Sequence, residues 1–124
     1  MNLNQITIPV TDVERSIKFY QGLGFNLIVE ALPRYARFEC PNGDATFSLH
    51  QSNTAALDTG IWIYFEEEDI DQKVNELIEK GYIFDELPSD QTWLWREARI
   101  KDLDNNQLII YYAGKNRKSP PWRL

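Results

Sequence analysis

Trp62 and Tyr64, Trp93 and Trp95, and Ile109 and Tyr111 each stand two residues apart in apolar runs. Side chains alternate along a strand, so each pair shares one face. Four tryptophans are many for 124 residues. An indole ring offers a large apolar surface with one polar handle, which suits a flat aromatic or cationic ligand. The competing use of such rings is to fill a core. In the segment 93–96 either Trp93 and Trp95 or Leu94 and Arg96 face the aromatic side, because a bulge reverses the parity.

Other chemistry is sparse. His50 is the single histidine and shares a strand face with Ser48. The pair lacks a recognisable orienting acid, which a Ser–His hydrolase needs. Cys40 stands alone before Pro41 and reads as a small buried apolar residue, with nothing beside it to activate a thiolate. Arg37 and Glu39 match Glu97 and Arg99 on corresponding strands, where such residues form ion pairs or fix a polar ligand. The run Glu66-Glu67-Glu68-Asp69 complements the N-terminus of a following helix rather than forming a metal cluster. There is no glycine-rich phosphate loop and no paired cysteine motif.

These residues are positioned by an internal duplication. TDVERSIKFYQGLGF (11–25) aligns without a gap on EDIDQKVNELIEKGY (68–82) at an offset of 57. The shared apolar spacing i, i+4, i+7 predicts an amphipathic helix in both copies. Thr11 with Glu14, and Asp69 with Gln72, have capping-box spacing, and Gly24 and Gly81 sit where a helix end needs positive φ. The same offset pairs a leading strand at 4–10 with one at 61–67. A further strand is expected near 25–30 and near 82–86. Each copy then closes with a hairpin, 35–40 with 44–50 across Pro41-Asn42-Gly43, and 94–102 with 106–112 across Asp104-Asn105. The fold class is therefore α+β, two βαβββ units at about 1–50 and 59–112, with a polar linker over 51–58. The basic arm 113–124 is expected to pack through Trp122.

Composition narrows the partners. The formal charge of −6 argues against nucleic acid, which needs clustered Lys and Arg. No run approaches the roughly 18 apolar residues of a membrane span. The N-terminus lacks the basic start and apolar stretch of a signal peptide. A lone cysteine fits a reducing compartment. A cytoplasmic protein without membrane or nucleic-acid partners is expected.

The opening strand with T-D-V-E-R-S-I-K-F-Y-Q-G-L-G-F, and W-R-E-A-R-I-K-D-L-D-N-N in the second half, resemble the glyoxalase / bleomycin-resistance / extradiol-dioxygenase (vicinal oxygen chelate) superfamily. The usual Asp-Pro-Asp-Gly turn is here Asp102-Leu103-Asp104-Asn105. The resemblance spans residues 3–112. It implies curled sheets that together form a cup, and pairing of chains as a homodimer. Exposed sheet edges point to a partner on separate grounds. In metal-dependent members four strands supply His, Gln or Glu ligands. The matching positions here are Gln5, Ser48, Trp62 and Ile109. Of these only Gln5 is an ordinary ligand type, so the resemblance implies a lost metal site and no cofactor.

The expected function is metal-free sequestration of a planar aromatic or cationic small molecule in an aromatic-lined cup, as in the bleomycin-resistance branch. Trp62, Tyr64, Trp95, Tyr111 and His50 would line the site, with Gln5 and Arg99 as polar anchors and no catalytic residue. One rival is a glyoxalase-like lyase, isomerase or dioxygenase-related enzyme with non-standard ligands. Another is a regulatory or structural member whose cup is filled.

Overall fold

The computed structural model describes residues 1–54 and 61–124, so the expected linker is described only up to Thr54. The chain runs β1 (Gln5–Val10), α1 (Val13–Leu23), β2 (Asn26–Ala31), β3 (Tyr35–Glu39) and β4 (Thr46–Gln51). It then repeats the order as β5 (Trp62–Glu66), α2 (Ile70–Glu79), β6 (Glu86–Asp90), β7 (Arg96–Lys101) and β8 (Gln107–Tyr112). Two four-stranded mixed sheets result, ordered β1-β4-β3-β2 and β5-β8-β7-β6. In each, the leading strand pairs parallel with the last and the other neighbours pair antiparallel. This is the βαβββ-repeat α+β architecture. Two compact units follow it, Met1–Thr59 with Asp102–Asn106, and Gly60–Lys101 with Gln107–Leu124.

In the first unit α1 buries Val13, Ile17, Tyr20 and Leu23, and β1, β3 and β4 turn Ile8, Val10, Ala36, Phe38, Phe47 and Leu49 inward. The Tyr20 ring meets Phe47 at 4.8 Å and Phe38 at 6.0 Å between centroids. In the second unit Ile70, Val74 and Leu77 of α2 are buried, as are Ile63, Ala98, Ile100 and Leu108 of its sheet. Burying such side chains is the main stabilising contribution, roughly 1.5–3 kcal/mol for each large one. Because side chains alternate, the helix-facing set leaves the opposite face of each sheet for other chemistry.

The helix ends correct one expectation. Asp12, not Thr11, caps α1, accepting from the Arg15 N–H at 3.0 Å. Its repeat partner Asp69 caps α2 through the Gln72 N–H at 3.1 Å. Thr11 is drawn elsewhere. Its hydroxyl and N–H both donate to Asp104 Oδ1, at 2.6 and 3.1 Å. Gly24 (φ 110°) and Gly81 (φ 99°) hold the left-handed positions after the two helices.

Asp102–Asn106 completes the first unit. Asp102 Oδ1 accepts from the Asp104 and Asn106 N–H groups, each at 2.9 Å, and Oδ2 accepts from the Tyr20 hydroxyl at 2.7 Å and from Asn106 Nδ2 at 2.8 Å. Asn106 Nδ2 also donates to the Pro9 carbonyl at 3.0 Å.

Four further expectations change. The strand placed at 82–86 is β6, Glu86–Asp90; the apolar Tyr82-Ile83-Phe84 suggested a ladder, but pairing with β7 begins with the Asp85 N–H on the Arg99 carbonyl. The strand placed at 94–102 starts at Arg96, because Leu94 takes φ 66° in a turn closed by Leu94 N–H on Gln91 O. In the arm, Gly114–Arg117 forms a short 3-10 helix and Trp122 is 56% exposed, not packed as expected. Cys40 is half-buried rather than buried, and desolvation raises its thiol pKa.

Candidate functional site

The open face of the first unit's sheet is polar. Register brings Gln5, Thr7 and Pro9 of β1 beside Thr46, Ser48 and His50 of β4, and these beside Glu39, Arg37 and Tyr35 of β3. The Ser48 side chain is fully buried and shares a 2.6 Å hydrogen bond with the Thr7 hydroxyl. Gln5 Oε1 accepts from the Thr46 hydroxyl at 2.8 Å. Arg37 Nε donates to the Tyr35 hydroxyl at 2.8 Å. Burial alone would raise the Tyr35 phenol, but hydrogen bonds from Ser48 and Arg37 bring it below its ordinary value. His50 is exposed at the end of β4, opposite Tyr35.

The open face of the second unit is aromatic. Parallel pairing sets Trp62, Tyr64 and Glu66 of β5 against Gln107, Ile109 and Tyr111 of β8, and β7 places Arg99 opposite Ile109 and Glu97 opposite Tyr111. Trp95 stacks on Tyr111 at 4.7 Å and 24°, and Tyr64 meets both edge-on, at 5.8 and 5.5 Å. Ile109, Tyr111 and Ala113 form a buried base beneath Trp95. Trp62 and Tyr64 stay open, 52% and 40% exposed.

The charges on this face are specific. Glu97 is only 2% exposed. Its Oε1 accepts from Trp93 Nε1 at 2.9 Å, while Oε2 has no hydrogen-bond partner. Arg99 lies over the Trp62 ring, 4.8 Å from its centroid, with Nη2 3.8 Å from Glu97 Oε2 and Nε 3.6 Å from Glu86 Oε2. Tyr111 donates to Glu66 Oε2 at 3.1 Å, and Arg117 pairs with the same oxygen at 3.4 Å. Burial and the Glu66 carboxylate push the Tyr111 phenol up to about 12; burial and then Glu97 raise Tyr64. Glu66 thus serves this face and not only the start of α2.

Of the residues singled out from sequence, Trp62, Tyr64, Trp95, Arg99 and Tyr111 come together on the second face, while Gln5 and His50 lie on the first unit's face. The sequence reading missed Tyr35, passed over Thr7 although the offset of 57 aligns it with Tyr64, and gave no site role to Trp93, whose direction depends on the Leu94 turn. It left Glu97 as one of four strand charges, although alternation from Arg99 already put it on the same face. The parity of the 93–96 segment is settled by Trp95, which joins Tyr111, while Arg96 turns away to Asp71 at 2.7 Å and Asp90 at 3.0 Å.

The four positions matching metal ligands do not fit a divalent ion. Trp62 and Ile109 offer no lone pair to a metal, Ser48 is engaged with Thr7 and Gln5 with Thr46. Among the described residues no group of three or more His, Cys, Asp or Glu could hold an ion.

The profile of the Glyoxalase/Bleomycin resistance protein/Dioxygenase superfamily matches residues 2–110. The chain belongs to that superfamily. Solved superfamily structures share its fold. A member from Sphaerobacter thermophilus is 24% identical over 90% of this chain and 97% of its own, with a TM-score of 0.72. Lactoylglutathione lyase from Agrobacterium tumefaciens is 11% identical over 90% and 92%, with a TM-score of 0.72. A bleomycin-binding protein complexed with bleomycin is 16% identical over 90% and 98%, with a TM-score of 0.74. No curated protein matches the chain. No helix among the described residues is long and apolar enough to cross a membrane.

Proposed function

We infer that this superfamily member is a metal-free binding protein that sequesters a planar aromatic or cationic small molecule on the aromatic face of its second unit, in the manner of the bleomycin-resistance branch. The carrying observation is that Trp62 and Tyr64 are left half-exposed above a buried base of Ile109 and Tyr111, beside a buried Glu97. A ring system laid on Trp62 and Tyr64 would bury apolar surface that the fold leaves wet, and edge-on and stacked ring geometries add to that gain. Trp95 and Tyr111 hold the platform in place. Binding is without turnover, in the cytoplasm, by a homodimer. A lyase-type activity would need a ligand set unlike the one at Gln5, Ser48, Trp62 and Ile109.

The test is tryptophan fluorescence with a panel of planar neutral and cationic compounds, on wild type and Trp62→Ala. An aromatic anchor commonly accounts for about 2 kcal/mol of binding, so the substitution should weaken a hit roughly thirtyfold. A panel that leaves the fluorescence unchanged, or a hit that binds Trp62→Ala as well as wild type, would remove this reading. Elemental analysis of the same preparation should find well under one Zn, Ni, Mn or Fe per chain; a stoichiometric, chelator-resistant ion would do equal damage.

A further inference from the structure

We propose that Arg99 is a stand-in for the ligand, its guanidinium occupying the place of an incoming planar cation that displaces it from Trp62 and Glu97. The inference rests on the binding reading above and narrows its ligand class to amidinium- or guanidinium-bearing compounds.

Glu97 is the starting point. It is 2% exposed, one carboxylate oxygen is held by the Trp93 indole N–H, and the other, Oε2, is buried with no hydrogen bond. A buried acceptor left unpaired is costly, and a buried carboxylate more so. The strand-mate Arg99 ought to satisfy it. Instead its Nη2 stops 3.8 Å away, beyond hydrogen-bond reach. Arg99 Nε is likewise buried and makes no hydrogen bond, with Glu86 Oε2 at 3.6 Å. The same guanidinium lies 4.8 Å over the Trp62 ring.

Among the described residues Arg99 therefore makes the non-directional contacts of a cation in an aromatic and carboxylate site, but none of the directional ones. Held between Trp62, Glu86 and Glu97, its guanidinium stops short of hydrogen-bond distance from either carboxylate. A free amidinium has no tether to the backbone. It can stack on Trp62 and give two parallel N–H groups to a carboxylate, the geometry that makes such pairs strong. The displaced Arg99 has Glu86 to follow outward, a carboxylate with 57% of its side chain exposed. A neutral amide isostere offers Glu97 only an uncharged N–H on one side and sets a carbonyl oxygen against the carboxylate on the other.

Benzamidine and its neutral isostere benzamide separate these cases, titrated by calorimetry into the intact protein. Wild type should prefer benzamidine. Arg99→Gln, which removes the competing cation, should bind benzamidine at least tenfold more tightly. Glu97→Gln, nearly the same shape and still able to accept from Trp93, should abolish the preference while leaving the melting temperature near that of wild type. The proposal is overturned if Arg99→Gln binds benzamidine no more tightly than wild type, which would make Arg99 an anchor, or if neither compound binds that variant. It is also overturned if Glu97→Gln retains the preference. In each of these outcomes the broader reading survives as long as a neutral planar compound of the panel still binds in a Trp62-dependent way.

Discussion

Arg99 lies over the ring of Trp62 with its guanidinium carbon 4.8 Å from the ring centroid, on a tryptophan that is itself 52% exposed. Little packing is therefore at stake in that indole. Trp62→Ala is expected to cost no more than about 1 kcal/mol of stability, the size of an exposed cation–π contact. Trp95→Ala should cost clearly more, about 2–3 kcal/mol, since Trp95 stacks on Tyr111 at 4.7 Å and is half-buried. Urea denaturation of the two variants checks the order; a Trp62→Ala loss as large as that of Trp95→Ala would mean that Trp62 is core.

High pH should unfold the protein over a narrow range. Burial and then Glu66 push the Tyr111 phenol up to about 12 from an ordinary 10.0, and burial and then Asp102 raise Tyr20 well above the same value. Both are favoured in the neutral form when folded. Their contribution is fully present below the unfolded value near pH 10.0 and is lost as the pH climbs through the folded values. The urea midpoint should hold to about pH 10 and fall between about 10 and 12. Tyrosinate absorbance should show Tyr35 ionising before this fall, as its phenol is lowered. A midpoint indifferent to pH across that window would contradict the buried positions of Tyr20 and Tyr111.

Tyr20→Phe isolates one hydrogen bond. The 2.7 Å bond from the Tyr20 hydroxyl to Asp102 Oδ2 is buried. Hydrogen bonds to charged groups contribute about 1.5–3 kcal/mol, and that is the loss expected here. The alkaline fall in stability should also become shallower. A variant as stable as wild type would show that Asn106 Nδ2, also on Oδ2 at 2.8 Å, suffices alone.

Thr11 and Asp12 are adjacent but should behave as unrelated residues. Asp12→Ala removes the α1 cap and should cost about 1 kcal/mol, with no coupling to Asp104. Thr11→Ala removes the 2.6 Å bond to Asp104 Oδ1, and Asp104 Oδ2 is already buried without a partner. A double-mutant cycle should therefore couple Thr11→Ala to Asp104→Asn by at least 0.5 kcal/mol, about the lower limit for contacting residues. Coupling of Asp12 instead would reverse the assignment.

The duplication made much of this legible. The offset that aligned Asp12 with Asp69 holds for both caps, and only the pull of the capping-box spacing placed the first cap on Thr11. Period-two alternation found Trp62, Tyr64 and Tyr111 because β5 and β8 pair in unbroken parallel register. It failed at β6, where Glu86-Leu87-Pro88-Ser89-Asp90 carries little strand propensity and a register shift interrupts its pairing. It failed again at Leu94, since a leucine at φ 66° gives no sequence warning. Glu97 was hard to rank for a different reason. Strand carboxylates usually reach water, and nothing local marks one that the Trp93 turn covers.

The turn Asp102–Asn106 is far along the chain from the unit it completes. A fragment ending near residue 59 would therefore lack Asp102 and Asp104, leaving Tyr20 and Thr11 with their donors unanswered in a half-built core. Such a fragment should not fold by itself, despite containing a whole βαβββ repeat. Supplied in trans, the remainder of the chain should rescue it, and a chain with Asp102→Ala should rescue it poorly.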